Sequence, residues 1–110
     1  MTDKKLLELA AKAAGIDVRC ISNGEQDEQF SFYTQPDQLW WNPLEDDGDA
    51  LRLAVKLRIL VDPDGDTYAV STAVPKGRGE YMVSEAHRSD PYAATRSAIV
   101  RAAAKIGRQM

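Results

Sequence analysis

The sequence has a single cysteine, Cys20, and a single histidine, His87. One cysteine excludes a disulfide within the chain and is typical of a reducing compartment. The two residues together are too few for a zinc site, which takes its four ligands mainly from Cys and His. The chain also lacks the G-x-S-x-G, G-x-G-x-x-G and G-x-x-x-x-G-K-[ST] motifs. Neither a nucleophile elbow nor a nucleotide-binding glycine loop is therefore indicated.

Long apolar runs are missing as well. Lysines and glutamate interrupt every apolar stretch near the N-terminus, so we expect no signal peptide (Lys4, Lys5, Glu8, Lys12). No stretch approaches the roughly 20 apolar residues needed to span a bilayer. These absences predict a soluble intracellular protein without a membrane segment.

An excess of basic residues is the third absence. The net charge is −3, with 28% charged and 44% hydrophobic residues, which argues against generic binding to nucleic acid or anionic membrane. The charges are unevenly placed. Between Glu25 and Asp49 there are eight acids and no Lys or Arg, whereas Arg88 to the C-terminus has five bases and one acid. This pattern is typical of two solvated faces, and it could also steer self-association to a homo-oligomer or attract a charged partner.

The 110 residues predict a single domain, 1–110. Apolar periodicity predicts helices over 3–14 and 91–106 and, between them, a central helix that starts at Asp46, Asp47 and Asp49 and carries Ala50, Leu53, Ala54 and Leu57 on one face. β-branched and aromatic stretches bounded by turn formers predict strands near 18–21, 30–33, 58–61, 67–74 and 81–86, with turns at Asn23-Gly24 and 62–66. The connections are too short for parallel crossovers. We therefore predict an α+β fold, an antiparallel β-sheet flanked by helices, in the approximate order α-β-β-α-β-β-β-α.

Helix boundaries are well marked. Thr2 and Asp46 are expected N-caps, and Asp90-Pro91 is the clearest helix start, with proline at the first helical position. Gly15 and Gly107 are expected to end the first and last helices. For the last helix the spacing predicts an inner apolar face made of Tyr92, Ile99, Ala103 and Ile106.

Three polar clusters invite a chemical interpretation. Asp62, Asp64 and Asp66 resemble the start of a calcium loop, but the glycine is at the fourth position and the twelfth residue is alanine, so a hairpin turn is favoured. Carboxylates could hold magnesium ahead of the central helix, but the helix dipole explains them without a metal (Glu45, Asp46, Asp47, Asp49). His87 lies near candidate Ser-His-Asp partners, yet a partly solvated histidine whose replacement changes little is the better interpretation (Ser84, Glu85, Ser89, Asp90). We predict no catalytic residues, metal or cofactor.

Two pairs of residues are candidate binding sites. Trp40 and Trp41 precede the Asn42-Pro43 step, which favours extended backbone, so one ring should enter the core and the other should be exposed to a ligand or partner. Lys76 and Arg78 flank a glycine, and such a loop can contact phosphate through its amides and charges. The alternatives are that both tryptophans are core residues and that the basic loop is a plain hairpin tip.

Two motifs carry a family resemblance: W-N-P-L-x-D-D-x-D-A-L-x-L-x-x-K-L over Trp41 to Leu57, and D-P-x-A-A-x-R-x-A-I-V-R-A-A over Asp90 to Ala103. The chain resembles small uncharacterised bacteriophage proteins of the phage α-β-α sandwich domain type over about its C-terminal two thirds. The resemblance implies a phage or prophage accessory protein in the bacterial cytoplasm, and it brings no catalytic residues. From the central helix onward the order α-β-β-β-α is also that of a double-stranded RNA-binding domain, but Asp90 stands where such a domain needs a base.

We therefore expect a non-catalytic accessory protein that binds a host protein or a small anionic, nucleotide-like ligand, with counter-defence as one use. The alternative is a nucleic-acid-binding domain that uses the basic loop 76–79 and the C-terminal helix. A third reading, an enzyme that uses the acidic cluster and a divalent ion, has the least support in the residues.

Overall fold

The computed structural model describes residues 2–22, 30–63 and 70–110. In this part of the chain the helices are α1 (Asp3–Ala14), α2 (Asp47–Leu57) and α3 (Pro91–Arg108). The strands are β1 (Val18–Ser22), β2 (Phe30–Thr34), β3 (Trp40–Trp41), β4 (Ile59–Asp62), β5 (Val70–Pro75) and β6 (Val83–Ala86). A 3-10 turn covers Gly79–Tyr81. The α+β class and the element order are confirmed, with the short β3 added. The predicted Asn23-Gly24 turn and Asp64 to Thr67 lie outside the described residues.

The strands form two antiparallel sheets, where the sequence predicted one. Sheet 1 has the order β1-β2-β3 and sheet 2 has the order β4-β5-β6. In sheet 1, Cys20 pairs with Phe32, which in turn pairs with Trp41. In sheet 2, Ile59 pairs with Pro75 and Ala73 pairs with Val83. The helix α2 comes between β3 and β4 in the chain, and each set of strands on either side of it pairs only locally.

The core joins all three helices to both sheets. Leu7, Leu53 and Val100 are among the largest fully buried side chains, and Phe32 and Trp41 add sheet 1 to the same cluster. The most extensive packing between elements is that of α1 against α3. Both helices carry buried alanines, which permit a close approach of the two backbones (Ala10, Ala11, Ala14, Ala98, Ala102, Ala103).

The predicted helix starts are confirmed by side-chain caps. The Thr2 hydroxyl accepts a hydrogen bond from the Lys5 amide (3.2 Å), and the Asp90 carboxylate accepts from the Tyr92 and Ala93 amides (3.0 and 3.1 Å). Gly15 follows α1 with a positive φ of 69°, the left-handed conformation that glycine adopts without strain.

Two predictions for α3 were wrong. Gly107 does not end the helix, because α3 continues to Arg108. A Cβ at this position would overlap the carbonyl oxygen of Leu9 and lie 2.8 Å from its carbonyl carbon, so this glycine allows α1 to touch α3. Tyr92 is not part of the inner face, because its side chain is 69% exposed. Tyr92 lies in the first turn of α3, before the first buried residue of the helix, Ala94. The other three residues of the predicted inner face, Ile99, Ala103 and Ile106, are buried as expected.

No helix in the described ranges is both long enough and apolar enough to cross a membrane.

Candidate functional site

The segment from Asn42 to Asp49 joins β3 to α2 through a short hydrogen-bond network. The Asn42 side-chain oxygen accepts from the Leu44 amide (3.0 Å). The Asp46 carboxylate accepts from the Asp49 amide (2.8 Å) and so caps α2. Asp49 is only 9% exposed, and its carboxylate accepts from the Asn42 amide (2.9 Å) and from Arg52 (2.7 Å).

This network is one half of a capping box. In a full box the second acid would return to the cap residue's amide, but Asp49 reaches back seven residues to Asn42 instead. The predicted helix-starting role of these acids is confirmed. Asp49 in addition holds the backbone of Asn42, the residue that directly follows the Trp40–Trp41 strand, against the start of α2.

Arg96 of α3 holds the same segment from the other side. Its Nε donates to the Leu44 carbonyl oxygen (2.8 Å) and its guanidinium contacts the Asp47 carboxylate (2.6 Å). The arginine side chain is 16% exposed, whereas that of Asp47 is 71% exposed. The Arg96–Asp47 ion pair therefore joins the acidic part of the chain, residues 25–49, to the basic C-terminal part within one molecule.

A large groove lies between sheet 1 and the segment that begins α2. It encloses about 1460 Å³ and is bounded by the start of α1, residues 15–17, sheet 1, residues 42–46 and one side of α2. Apolar and aromatic side chains form much of its lining in the described part of the chain, among them Phe30, Phe32, Leu39, Trp40, Trp41 and Leu44. Two of the predicted site residues, Trp40 and Trp41, line this groove.

The two tryptophans divide as the alternation of an extended strand predicts. Trp41 is 6% exposed and belongs to the core, whereas Trp40 is 68% exposed. The Trp40 ring makes a T-shaped contact with Tyr33 of β2, with 6.1 Å between ring centroids. This contact holds the largely exposed indole at the edge of the groove.

The groove is acidic. Among the described residues that line it, six carry carboxylates and two carry positive charges (Asp3, Asp17, Asp37, Glu45, Asp46, Asp49; Arg52, Lys56). Arg52 compensates Asp49 at 2.7 Å and lies 3.7 Å from Asp46. Asp17 lies 3.9 Å from Arg19. Within the described residues no ion pair neutralises Asp3, Asp37 or Glu45.

The basic pair is placed elsewhere. Lys76 and Arg78 are exposed in the turn after β5, and neither is among the described residues that line the groove. The Lys76 amide donates to the Arg58 carbonyl oxygen (2.9 Å), and the Arg78 guanidinium lies 6.0 Å from the centre of the Tyr81 ring. The four predicted binding residues thus form two separate places, one aromatic and one basic.

His87 does contact a serine, but not one of those considered from the sequence. Its Nε2 lies 2.9 Å from the Ser71 hydroxyl, which lies 2.6 Å from the Thr95 hydroxyl, and Thr95 donates to the Pro91 carbonyl oxygen (2.8 Å). The Ser71 hydroxyl also donates to the Pro63 carbonyl oxygen (3.3 Å), and either hydroxyl can donate in its contact with Thr95. Ser71 is completely buried.

The acids once considered as partners of His87 have other roles. Glu85 pairs with Arg101 of α3 at 3.0 Å, and Asp90 caps α3. Ser71 is completely buried, so its hydroxyl has no access to a substrate. The chain of hydroxyls therefore fastens β5 to α3.

No three metal-ligating side chains come together within the described ranges. Three of the four acids considered for magnesium have other roles: Asp46 caps α2, Asp49 contacts Asn42 and Arg52, and Asp47 pairs with Arg96, while Glu45 is exposed.

Sequence reasoning missed the groove and the hydroxyl chain. Arg96, Ser71 and Thr95 act through contacts 16 to 52 residues apart in the chain, and no local motif marks such contacts. In β5 every second residue is buried, which puts Ser71 on the inner face of the strand. The alternation expected of a half-buried strand was the one signal that could have indicated a buried Ser71.

Comparison with family models, with curated proteins and with solved structures finds no match to this chain. The resemblance to phage α-β-α sandwich proteins stays a prediction.

Proposed function

We propose that the protein is a non-catalytic accessory protein, of phage or prophage origin, that binds a host protein through the groove beside Trp40. The observation that carries this proposal is the exposed indole, 68% accessible, held against Tyr33 at the edge of a large concave surface. Exposed tryptophans in well-packed settings are the side chains that most often dominate binding energy between proteins.

The size of the groove supports a macromolecular partner. Its volume of about 1460 Å³ exceeds the roughly 300–1,000 Å³ of pockets that enclose small molecules. The charge supports the same choice, because six carboxylates against two cations would repel a nucleotide-like or other anionic ligand. A protein segment is the better occupant on both grounds.

The buried Ser71 supports a non-catalytic role. The Ser71 hydroxyl beside His87 is fully buried and contacts Thr95 and the Pro63 carbonyl oxygen, which supports a structural role for it. The acids of the Asn42–Asp49 segment begin a helix and position a strand. Counter-defence is one use to which a phage protein of this kind would be put.

A site-specific photo-crosslink tests the proposal. We would place p-benzoylphenylalanine at position 39, which lines the groove, and in a second variant at position 92, which is equally exposed but lies at the start of α3. Expression in bacteria and irradiation should give a discrete adduct from position 39 alone. The same pattern of crosslinked products from positions 39 and 92, with no adduct specific to position 39, would contradict the proposal.

The nucleic-acid alternative retains one favourable observation. Lys105 of α3 donates to the Met82 carbonyl oxygen (3.3 Å), which brings the C-terminal helix to the turn that follows Lys76 and Arg78. Glu80 and the Arg101–Glu85 pair lie in the same region and reduce its positive charge. A gel-mobility shift at low salt that is weakened by Lys76→Gln and Arg78→Gln would favour this alternative over the protein partner.

A further inference from the structure

We infer that the partner segment which occupies the groove is basic: an extended stretch of a protein that presents Lys or Arg side chains next to apolar ones. This inference rests on the proposed function, because it names the chemistry of the segment that the groove would bind. It does not follow from an exposed tryptophan alone, and three features of the groove carry it.

The first feature is uncompensated negative charge. Asp3, Asp37 and Glu45 line the groove, are exposed, and have no ion pair within the described residues. They come from three different parts of the chain, namely α1, the turn after β2 and the segment before α2. A segment carrying several cations would therefore meet carboxylates along the groove, whereas an acidic segment would be repelled at each of them.

The second feature is the indole itself. Trp40 makes a T-shaped contact with Tyr33 and is 68% exposed, so most of the residue is accessible to a partner. A Lys or Arg side chain can place its methylene groups on such a ring and its charge within reach of the ring face. One basic residue could thus pack against the Trp40 ring and form an ion pair with a neighbouring carboxylate.

The third feature is the apolar lining between the charges. Phe30, Phe32 and Leu44 are partly or fully buried and line the groove. A partner with charged side chains alone would leave this apolar surface exposed to water. Alternating basic and apolar side chains would match both parts of the lining. Arg52 and Lys56 stand on the α2 side, so the basic residues of the partner should lie toward Asp37 and Glu45.

A peptide selection tests the inference. A library of random 12-residue peptides would be selected on the wild-type protein, and an enriched peptide would be labelled for fluorescence anisotropy. We expect enrichment in Lys and Arg, a Kd that rises with salt, and a Kd roughly 30-fold higher in Trp40→Ala, the size typical of a dominant interface residue. Tyr92→Ala, which removes an equally exposed ring elsewhere, should leave the Kd unchanged.

Two charge-matched variants separate the groove from the net charge. Asp37→Asn with Glu45→Gln should weaken binding about fivefold, since exposed ion pairs contribute modestly. Glu8→Gln with Glu80→Gln removes the same charge outside the groove and should change the Kd little. Equal effects of the two variants, or selected peptides without basic enrichment, would overturn the inference.

The outcomes also separate this inference from the proposed function. A specific adduct at position 39 together with neutral or acidic selected peptides would refute the basic segment and leave the protein partner standing. A covalent dimer formed from position 39 in the purified protein would show that a second copy occupies the groove, which would overturn the inference. Absence of both adduct and selected peptide would refute the two proposals together.

Discussion

At the scale of single residues, Gly107 shows how one atom sets the distance between helices. The backbone of Leu9 occupies the place that a Cβ would take, and helix α1 approaches α3 through this point. A glycine in a helix interior normally costs up to about 1 kcal/mol relative to alanine. Here that cost is offset by the close contact between the two helices.

Replacing Gly107 by alanine should lower the free energy of unfolding by about 2–3 kcal/mol, because the rigid carbonyl of Leu9 must move away from the new methyl group. Urea denaturation measures the change. Gly79→Ala is the control, since a Cβ there meets nothing within 4 Å, and it should be close to neutral. A stabilised Gly107→Ala protein would show that α3 does not touch α1 at this position.

Thr95 gives a second prediction at this scale. Thr95→Val keeps the shape of the side chain but removes a hydrogen-bond partner of the buried Ser71 hydroxyl, so stability should fall by about 1–2 kcal/mol. Thr72→Val is the matched control: it lies on the same strand as Ser71, and its hydroxyl is 3.5 Å from Ser84 at the surface. Equal denaturation midpoints for the two variants would contradict the chain of hydroxyls.

Single residues also show where sequence reasoning works. The N-caps Thr2, Asp46 and Asp90 were predictable because capping depends on neighbours two or three positions away. Gly107 was misjudged because glycine serves equally to end a helix and to admit another backbone, and only the tertiary contact distinguishes the two uses. The partner of His87 was not predictable for the same reason, since Ser71 lies 16 residues away.

At the scale of elements, each helix begins with a side chain that satisfies its first amides. Local signals of this kind, together with apolar periodicity, predicted all three described helices and most of the strand positions. They did not show that β1–β3 and β4–β6 pair as two sheets, because the division depends on how the helices pack. The groove is a product of that packing, so Trp40 was predictable as an exposed aromatic residue but its surroundings were not.

The cap of α3 can be tested by itself. Asp90→Ala removes the acceptor of two amides and should destabilise the protein by about 1 kcal/mol, whereas Asp90→Asn keeps a capping oxygen and should lose much less. Thermal unfolding followed by circular dichroism measures both. Similar losses in the two variants would show that the charge of Asp90, and not its capping oxygen, stabilises this end.

At the scale of the whole molecule, the uneven charge of the sequence is partly resolved inside the fold. Arg96 comes from the basic C-terminal part and reaches the acidic segment at Asp47 and Leu44, while Arg101 pairs with Glu85 nearer the surface. Three acids without an ion pair among the described residues line the groove, namely Asp3, Asp37 and Glu45, whereas Glu80 lies outside it. The groove therefore carries much of the unpaired negative charge of the described structure.

The two arginines of α3 should differ in their effect on stability. Arg96→Met removes a hydrogen bond to the Leu44 carbonyl oxygen and an ion pair whose guanidinium is 16% exposed, and we expect a loss of about 1–2 kcal/mol. Arg101→Met removes an ion pair whose guanidinium is 53% exposed, and it should lose less than about 1 kcal/mol. The reverse order in chemical denaturation would show that Arg96 does not hold the start of α2.

The hydrogen bonds at Asp49 give the groove a built-in reporter. The amides of Asn42 and Asp49 both donate to carboxylates that line the groove, and exchange of these amides with solvent deuterium requires local opening of that wall. An occupant that bridges the wall to sheet 1 would slow exchange at these two positions while leaving the Tyr92 amide, at the far cap, unaffected. Occupancy could thus be followed by NMR before the occupant's sequence is known.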